Sequence, residues 1–210
     1  MSRYFNKNQK GFSLVELLVS LGIMVTILSV VISSQSTYTD TQSINNLADE
    51  ISLTLSQSQA YGTAVKEFSP GSANFSGAYG MSLSLLSSGS NKDYIFFADL
   101  NGNNIYDGDW NCQMGAGFEC LEKVTTVRGN YIDSFCILRS GGLGEMCDVA
   151  KRVDIDYVRP NTSAQINFFD NGGQSLSVPN TNGVKIILKT PQGKSRSVLA
   201  YINGQISVSN

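Results

Sequence analysis

A run of 21 residues from Phe12 to Ile32, FSLVELLVSLGIMVTILSVVI, carries one charge, Glu16, and limits this chain more than any other feature. At 1.5 Å per residue a helix of that length covers about 30 Å, the hydrocarbon thickness of a bilayer. The segment before it, MSRYFNKNQKG, holds Arg3, Lys7 and Lys10 and no acid, while residues 33–65 contain no Lys or Arg. That asymmetry keeps the leader in the cytoplasm and sends the rest outward as a single-pass protein. A cleaved secretory signal has an apolar core of only about 7–15 residues ending in a small-x-small site. The run exceeds that length, and the SSQSTYTD that follows it is a poor cleavage site.

Composition removes whole classes of chemistry. With no histidine among 210 residues, the chain builds no Ser-His-Asp triad, Cys-His pair or HExxH zinc site. The phosphate-cradling loops G-x-x-x-x-G-K-[ST] and G-x-G-x-x-G are missing too. A net charge of −2 is unlike that of a broadly cationic nucleic-acid binder.

Glu16 needs a reason, because a carboxylate at mid-bilayer costs about 2.5–3.5 kcal/mol. In the first helical turn the macrodipole and the headgroups both favour it. A second role follows if the chain is cut after Gly11. Phe12 then presents a cationic amine, and Glu16 of a neighbouring copy is placed to neutralise it.

The stretch Lys10-Gly11-Phe12-Ser13-Leu14-Val15-Glu16-Leu17-Leu18-Val19 resembles the type III signal of type IV pilins and type II secretion pseudopilins. The resemblance implies that a prepilin peptidase cleaves after Gly11 and N-methylates Phe12, leaving 12 basic side chains against 17 acidic ones. It also implies an inner-membrane anchor, an inner-membrane assembly platform and other pilin or pseudopilin subunits as partners, and a filament as destination. Many major pilins carry a kinking proline about twenty residues into the mature chain. None stands here, since the four prolines are Pro70, Pro160, Pro179 and Pro191, which tilts the resemblance toward a pseudopilin or minor pilin.

The helix is expected to continue to about Lys66. Ile44, Leu47, Ala48, Ile51 and Leu55 form one apolar stripe at helical spacing. The expected domains are a leader (1–11), a membrane or filament-core helix (12–32), the outer half of that helix (33–66) and a β-rich head (67–210). Short β-branched or aromatic runs at 94–98, 121–127, 132–138, 153–158, 165–169, 184–189, 197–202 and 205–208 predict the strands. Asn203-Gly204 marks a hairpin before the last of them. The fold class is α+β, a long N-terminal helix packed on an antiparallel head, the pilin fold. Tyr79-Gly80, the run from Phe97 to Asn103, Arg159-Pro160 before a strand, and the closing strand pair resemble H-type minor pseudopilins and related minor pilins.

Cys112, Cys120, Cys136 and Cys147 lie outside the cytoplasm on this reading, where disulfides persist. Four cysteines allow three connectivities, and local pairing, Cys112–Cys120 with Cys136–Cys147, is the expected one. The stretch from Asp99 to Asp109 places Asp99, Asn101, Asn103, Asp107 and Asp109 as oxygen donors in a Gly-containing loop. Such a loop wraps Ca²⁺ or simply turns a hairpin, and it has Asn104 and Trp110 where an EF-hand has glycine and glutamate. No cofactor is expected unless this loop takes calcium.

Two other functions stay open beside a structural subunit. Lys185, Lys189, Lys194 and Arg196 give four cations and no acid after Asp170, enough to hold a few phosphates of DNA during uptake, although the tail beyond Gln205 has none. The same lysines also fit the solvent side of edge strands, and DNA is the weaker expectation. A membrane-anchored envelope enzyme would need a carboxylate pair such as Glu119 with Glu122, or Asp154 with Asp156. Alternation with Val153, Ile155 and Tyr157 explains the latter pair equally well as a solvated strand face.

Overall fold

The computed structural model describes residues 11–64, 77–115 and 117–209. The leader before Gly11, the expected helix end at Val65 and Lys66, and the first ten residues of the expected head lie outside these. The chain falls into two units, Met1–Thr39 and Asp40–Asn210. One helix, α1 (Leu14–Thr63), is shared between them.

In the first unit the helix begins two residues later than the apolar run. Gly11, Phe12 and Ser13 are not helical. The Ser13 hydroxyl accepts a bond from the Val15 N–H at 3.2 Å, and the Ser13 carbonyl accepts one from Leu17 N–H at 3.2 Å. Ser13 is thus the N-cap, and Glu16 sits at the third helical position, the spacing of a capping box. From Leu14 to Ile32 every residue is exposed, with none of this stretch buried inside the protein.

The second unit packs the rest of α1 on two sheets. The strands are β1 (Ala78–Ser84), β2 (Asp93–Asp99), β3 (Cys120–Thr125), β4 (Tyr131–Arg139), β5 (Glu145–Cys147) and β6 (Arg152–Tyr157). They continue as β7 (Ala164–Phe169), β8 (Ser175–Leu176), β9 (Thr181–Lys189), β10 (Ser195–Tyr201) and β11 (Ile206–Ser209). One sheet runs β3-β2-β1-β6-β7-β8 and the other β11-β10-β9-β4-β5, with every pairing antiparallel. Ile44, Leu47, Ala48, Ile51 and Leu55 are all buried, in one core with Met81 and Leu83 of β1, Val153 and Ile155 of β6, and Val184, Ile186 and Leu188 of β9. Each large aliphatic side chain in that stripe stabilises by roughly 1.5–3 kcal/mol relative to exposure.

Two local irregularities make the packing possible. A bulge in β4 between Ile132 and Ser134 resets the alternation, so Ile132 and Phe135 both reach the core although three positions apart. At the far end of α1, a Cβ on Gly62 would lie 2.1 Å from the Tyr157 carbonyl oxygen and 2.9 Å from its Cβ. Helix and β6 touch backbone to backbone there, and only glycine fits. Polar links flank the stripe: Asn130 Nδ2 donates to Ser43 Oγ at 2.7 Å, and Gln59 Nε2 donates to the Thr162 and Gly204 carbonyls at 3.0 and 3.1 Å.

Alanine at Gly62 would gain about 1 kcal/mol of helix propensity, but it must push helix and strand apart, which costs about 2–3 kcal/mol. Thermal unfolding of the detergent-solubilised full chain should therefore show Gly62→Ala melting several degrees lower. An unchanged or raised melting temperature would remove this contact from the structural account.

Candidate functional site

Two places carry the residues singled out by the sequence: the start of α1 and the loop between β2 and β3. At the first, no described residue lies within 4 Å of where a Cβ on Gly11 would stand. Phe12 is 76% exposed, and Glu16 is exposed in the first turn of α1. The Gly11-Phe12 bond is nonhelical and lies just ahead of the cap at Ser13. The capping-box spacing Ser13-x-x-Glu16 was readable in the sequence and gives Glu16 a local role beside any intermolecular one.

The second place is a covered sheet face. Residues 100–119 lie over the outer side of the six-stranded sheet, where Ile95, Phe97, Tyr106, Cys112 and Cys120 form a second small core with Trp110 against it. The Cys112–Cys120 disulfide closes the covering loop, and Cys136–Cys147 joins directly opposed residues of β4 and β5. Each bond restricts the unfolded chain, contributing about 2–3 kcal/mol in the loop-entropy picture.

Carboxylates fasten this loop to its own backbone. Asp99, only 1% exposed, accepts N–H bonds from Asn101 and Gly102 on Oδ1 (3.1 and 2.7 Å) and from Asn104 on Oδ2 (2.7 Å). Asn104 adopts φ +63°, the left-handed conformation that an EF-hand assigns to glycine. Asn101 and Asn103 turn their Nδ2 groups to Asp107 Oδ2, at 2.6 and 2.7 Å. Asp109 Oδ1 accepts the Asn111 N–H at 3.1 Å. Glu119 accepts from the Leu100 and Asp107 N–H groups at 3.2 and 2.8 Å; burial raises its pKa while those two bonds lower it. The five expected calcium donors are thus spent largely on amides. Among the described residues, only Cys136, Glu145 and Cys147 bring three metal-type donor atoms within 4.8 Å of one another, and their sulfurs form a disulfide.

Under the loop, β6 departs from the expectation of a solvated face. Asp154 and Asp156 are both fully buried, because the loop covers their side of the sheet. Asp154 accepts from Ser82 Oγ at 2.6 Å, from the Tyr106 N–H at 3.0 Å and from Arg152 Nε at 3.0 Å. Arg152 also reaches the Tyr106 carbonyl and stacks 4.7 Å from the centre of the Phe169 ring. Burial pushes the Asp154 pKa up, and the guanidinium, the Ser82 hydroxyl and the Tyr106 N–H pull it back. Neither oxygen of Asp156 has a partner, and burial, reinforced by Asp99 and Asp154, pushes its pKa up to about 8. The pair is unequal: one carboxylate is held by a cation, the other is a buried neutral acid at pH 7. Of the other carboxylate pair, Glu119 is turned into the loop, whereas Glu122 is exposed on β3.

The four cations considered for DNA do not make a free patch. Lys185 pairs with Glu145 at 3.2 Å and Lys189 with Asp133 at 2.9 Å. Lys194 donates to Thr41 Oγ1, and Arg196 Nε donates to Asn45 Oδ1 at 2.6 Å. Two of the four therefore fasten strands to α1, and two are matched by acids.

Between pH 4 and pH 8 the folded chain keeps the Asp156 proton that the unfolded chain releases. Stability from this group is thus fully present near pH 4, falls by about 1.4 kcal/mol per pH unit, and is gone above pH 8. Asp156→Asn should remove that slope and raise the urea midpoint at pH 8 more than at pH 5; equal gains at both would refute it. The loop, with its carboxylates already satisfied by N–H donors, should leave the melting temperature unchanged at millimolar Ca²⁺. A rise that Asp99→Ala abolishes would restore the metal reading.

No curated protein and no solved structure matches the chain. Residues 6–32 match the family model described as the prokaryotic N-terminal methylation motif. That stretch contains Gly11, Phe12, Glu16 and the exposed apolar span of α1. The match is confined to this N-terminal stretch and supports the type IV pilin and pseudopilin superfamily.

Proposed function

We propose that the chain is a non-enzymatic, low-abundance structural subunit of a type IV pilus or a type II secretion pseudopilus. The observation that carries this reading is the methylation motif at 6–32 coinciding with a helix whose Leu14–Ile32 stretch has no cover of its own. Nineteen exposed, predominantly apolar residues are untenable in water. They are stable in a bilayer, and stable again when identical or related helices surround them in a filament core. The head begins at Asp40 and has a complete core without them, so it can stay outside the membrane before and after assembly.

In this reading a prepilin peptidase cuts after Gly11 and methylates Phe12. Among the described residues nothing crowds Gly11, which fits a need for glycine set by the peptidase's approach to the bond. The new Phe12 amine then meets Glu16 of an adjacent subunit, and the two charges cancel inside an apolar bundle. The cap at Ser13 starts the helix immediately before Glu16 and fixes its carboxylate in the first turn. The head supplies subunit contacts. The cations after Asp170 are engaged within the head, which favours the structural reading over DNA uptake.

Mass spectrometry of the membrane-extracted protein should find a mature chain starting at Phe12 and carrying one N-methyl group. Gly11→Leu should retain the leader. Glu16→Ala should insert in the membrane normally, yet enter filaments poorly when the mutant is co-expressed with its partner subunits. A mature terminus at Met1 or beyond Ile32 would overturn the reading, and normal filament entry by the alanine variant would remove the role of Glu16.

A further inference from the structure

Four strands end the two sheets of the head, β3 and β8 in one, β5 and β11 in the other. Of these, β8 covers its neighbour least. Its two residues, Ser175 and Leu176, meet Phe169 and Phe168, whereas β7 is six residues long. The direction of the β7 backbone groups is fixed from both ends. Ala164 N–H donates to the Ile202 carbonyl at 2.9 Å and Asp170 N–H to the Gln174 carbonyl at 2.9 Å, both partners lying outside β6. Backbone groups along a strand alternate between its two sides, so Ile166 and Phe168 also point away from β6. Phe168 meets Leu176 there. Continuing that register, Ile166 would meet Val178, but the chain has left the sheet at Ser177 and turns at Pro179. The Val178 carbonyl accepts the Thr181 hydroxyl at 2.7 Å instead. Among the described residues, no strand stands opposite Ile166 on this side.

The open edge lies in a groove of about 380 Å³. Ala164 to Phe168 form one wall and Ser175 to Val178 the other, with Thr181 and Ile202 completing it. Ile166, Leu176 and Val178 are half-buried against the main core. No lining residue is charged. Charged side chains are a common protection of sheet edges, and β3 carries Glu122 and Lys123 while β5 carries Glu145. The edge of β7 has no such guard. The whole groove belongs to the unit Asp40–Asn210.

We infer that this groove takes a flexible segment of a partner protein, which enters as an extended, uncharged strand and adds to the edge of β7 at Ile166. Unpaired N–H and C=O groups along an edge select extended polypeptide, because only a strand presents matching groups at the same spacing. The entering segment gains bonds to the Ile166 N–H, the Ile166 C=O and the Ala164 C=O. Charge decides its composition, since an ionised side chain would lose water among uncharged walls and find no counter-ion. The walls decide its state. A groove bounded on both sides admits one strand, not the rim of a folded sheet whose next strand follows about 4.8 Å away. A partner held this way is recognised by its backbone and its lack of charge, whether or not the chain stands in a filament.

The test uses the detergent-solubilised full chain and a five-residue probe of sequence TVTVT, acetylated and amidated so that it carries no charge. At about 1 kcal/mol each, three added backbone bonds with some apolar burial support millimolar binding. Amide NMR should show the Ile166 signal shifting as the probe is added. At half-saturation its hydrogen exchange should slow about twofold. The same probe N-methylated at its peptide bonds keeps its side chains, loses its donors and should leave Ile166 unmoved. A probe with both valines replaced by aspartate should also fail. Ser177→Trp fills the groove from an exposed position, so it should abolish the shift while the melting temperature is retained. No shift of Ile166 with the first probe would overturn the inference, as would equal binding of the N-methylated or aspartate probe, or binding that survives Ser177→Trp. Protection of Ile166 that grows with protein concentration and without probe would overturn it in favour of a second copy of the chain.

Discussion

The head exists because one stripe of α1 must be covered, and two sheets are needed to cover it. Ile44, Leu47, Ala48, Ile51 and Leu55 present apolar surface along about 16 Å of helix, and strands from both sheets close over it. The remaining features serve that contact. The β4 bulge turns Ile132 and Phe135 to the same side, and Gly62 lets β6 reach the helix backbone. Asn130, Gln59, Lys194 and Arg196 satisfy polar groups along the rim. Among the described residues nothing comparable covers Leu14–Ile32, and that contrast within one helix divides the molecule into a part with a core of its own and a part with none.

Covering the helix uses one face of the six-stranded sheet and leaves the other exposed. Residues 100–119 solve this with very little apolar material, a small cluster around Phe97 and Tyr106 and one disulfide. What fixes the loop is a set of carboxylates accepting backbone N–H groups, Asp99 for its first turn, Glu119 for Leu100 and Asp107, and Asp154 for Tyr106. A charged acceptor to an amide is among the stronger hydrogen bonds, but burying the acid raises its desolvation penalty. Asp154 offsets that penalty with Arg152, and Asp156 avoids it by remaining protonated. The loop therefore gains definition, and the head acquires a dependence on pH.

Much of this was legible in the residues, and the part that was not has a common cause. The helix stripe and eight of the strands follow a local period that tertiary contacts confirm, and the apolar span is legible from its length alone. β1 escaped because Ala78–Ser84 is rich in small and polar residues and has no β-branched side chain. It nevertheless occupies an interior position in its sheet, buried at every residue, and a Cβ on Gly80 would stand 2.5 Å from the Ile155 carbonyl oxygen. Asp154 and Asp156 alternate with apolar residues as a solvated face would, and only the loop arriving from fifty residues earlier makes that face interior. The calcium-like spacing from Asp99 to Asp109 is real, but the same spacing lets Asp99, Asn101 and Asn103 serve amides two to five residues ahead. In each instance the decisive partner is distant in sequence or is backbone, and neither leaves a periodic trace.

The start of α1 combines requirements that seldom coincide. A spanning helix disfavours an acid, and Glu16 is tolerated only because Ser13 caps the helix and places it in the first turn, near the headgroups and the positive end of the macrodipole. If the cap lay further upstream, at Phe12 or Gly11, the acid would sit beyond the first three helical positions and the Gly11-Phe12 bond would be drawn toward the helix. Starting at Leu14 leaves Gly11-Phe12 outside the helix and Glu16 within its first turn. On the proposed function, that one hydroxyl on one N–H makes cleavage before the helix and charge pairing within it compatible.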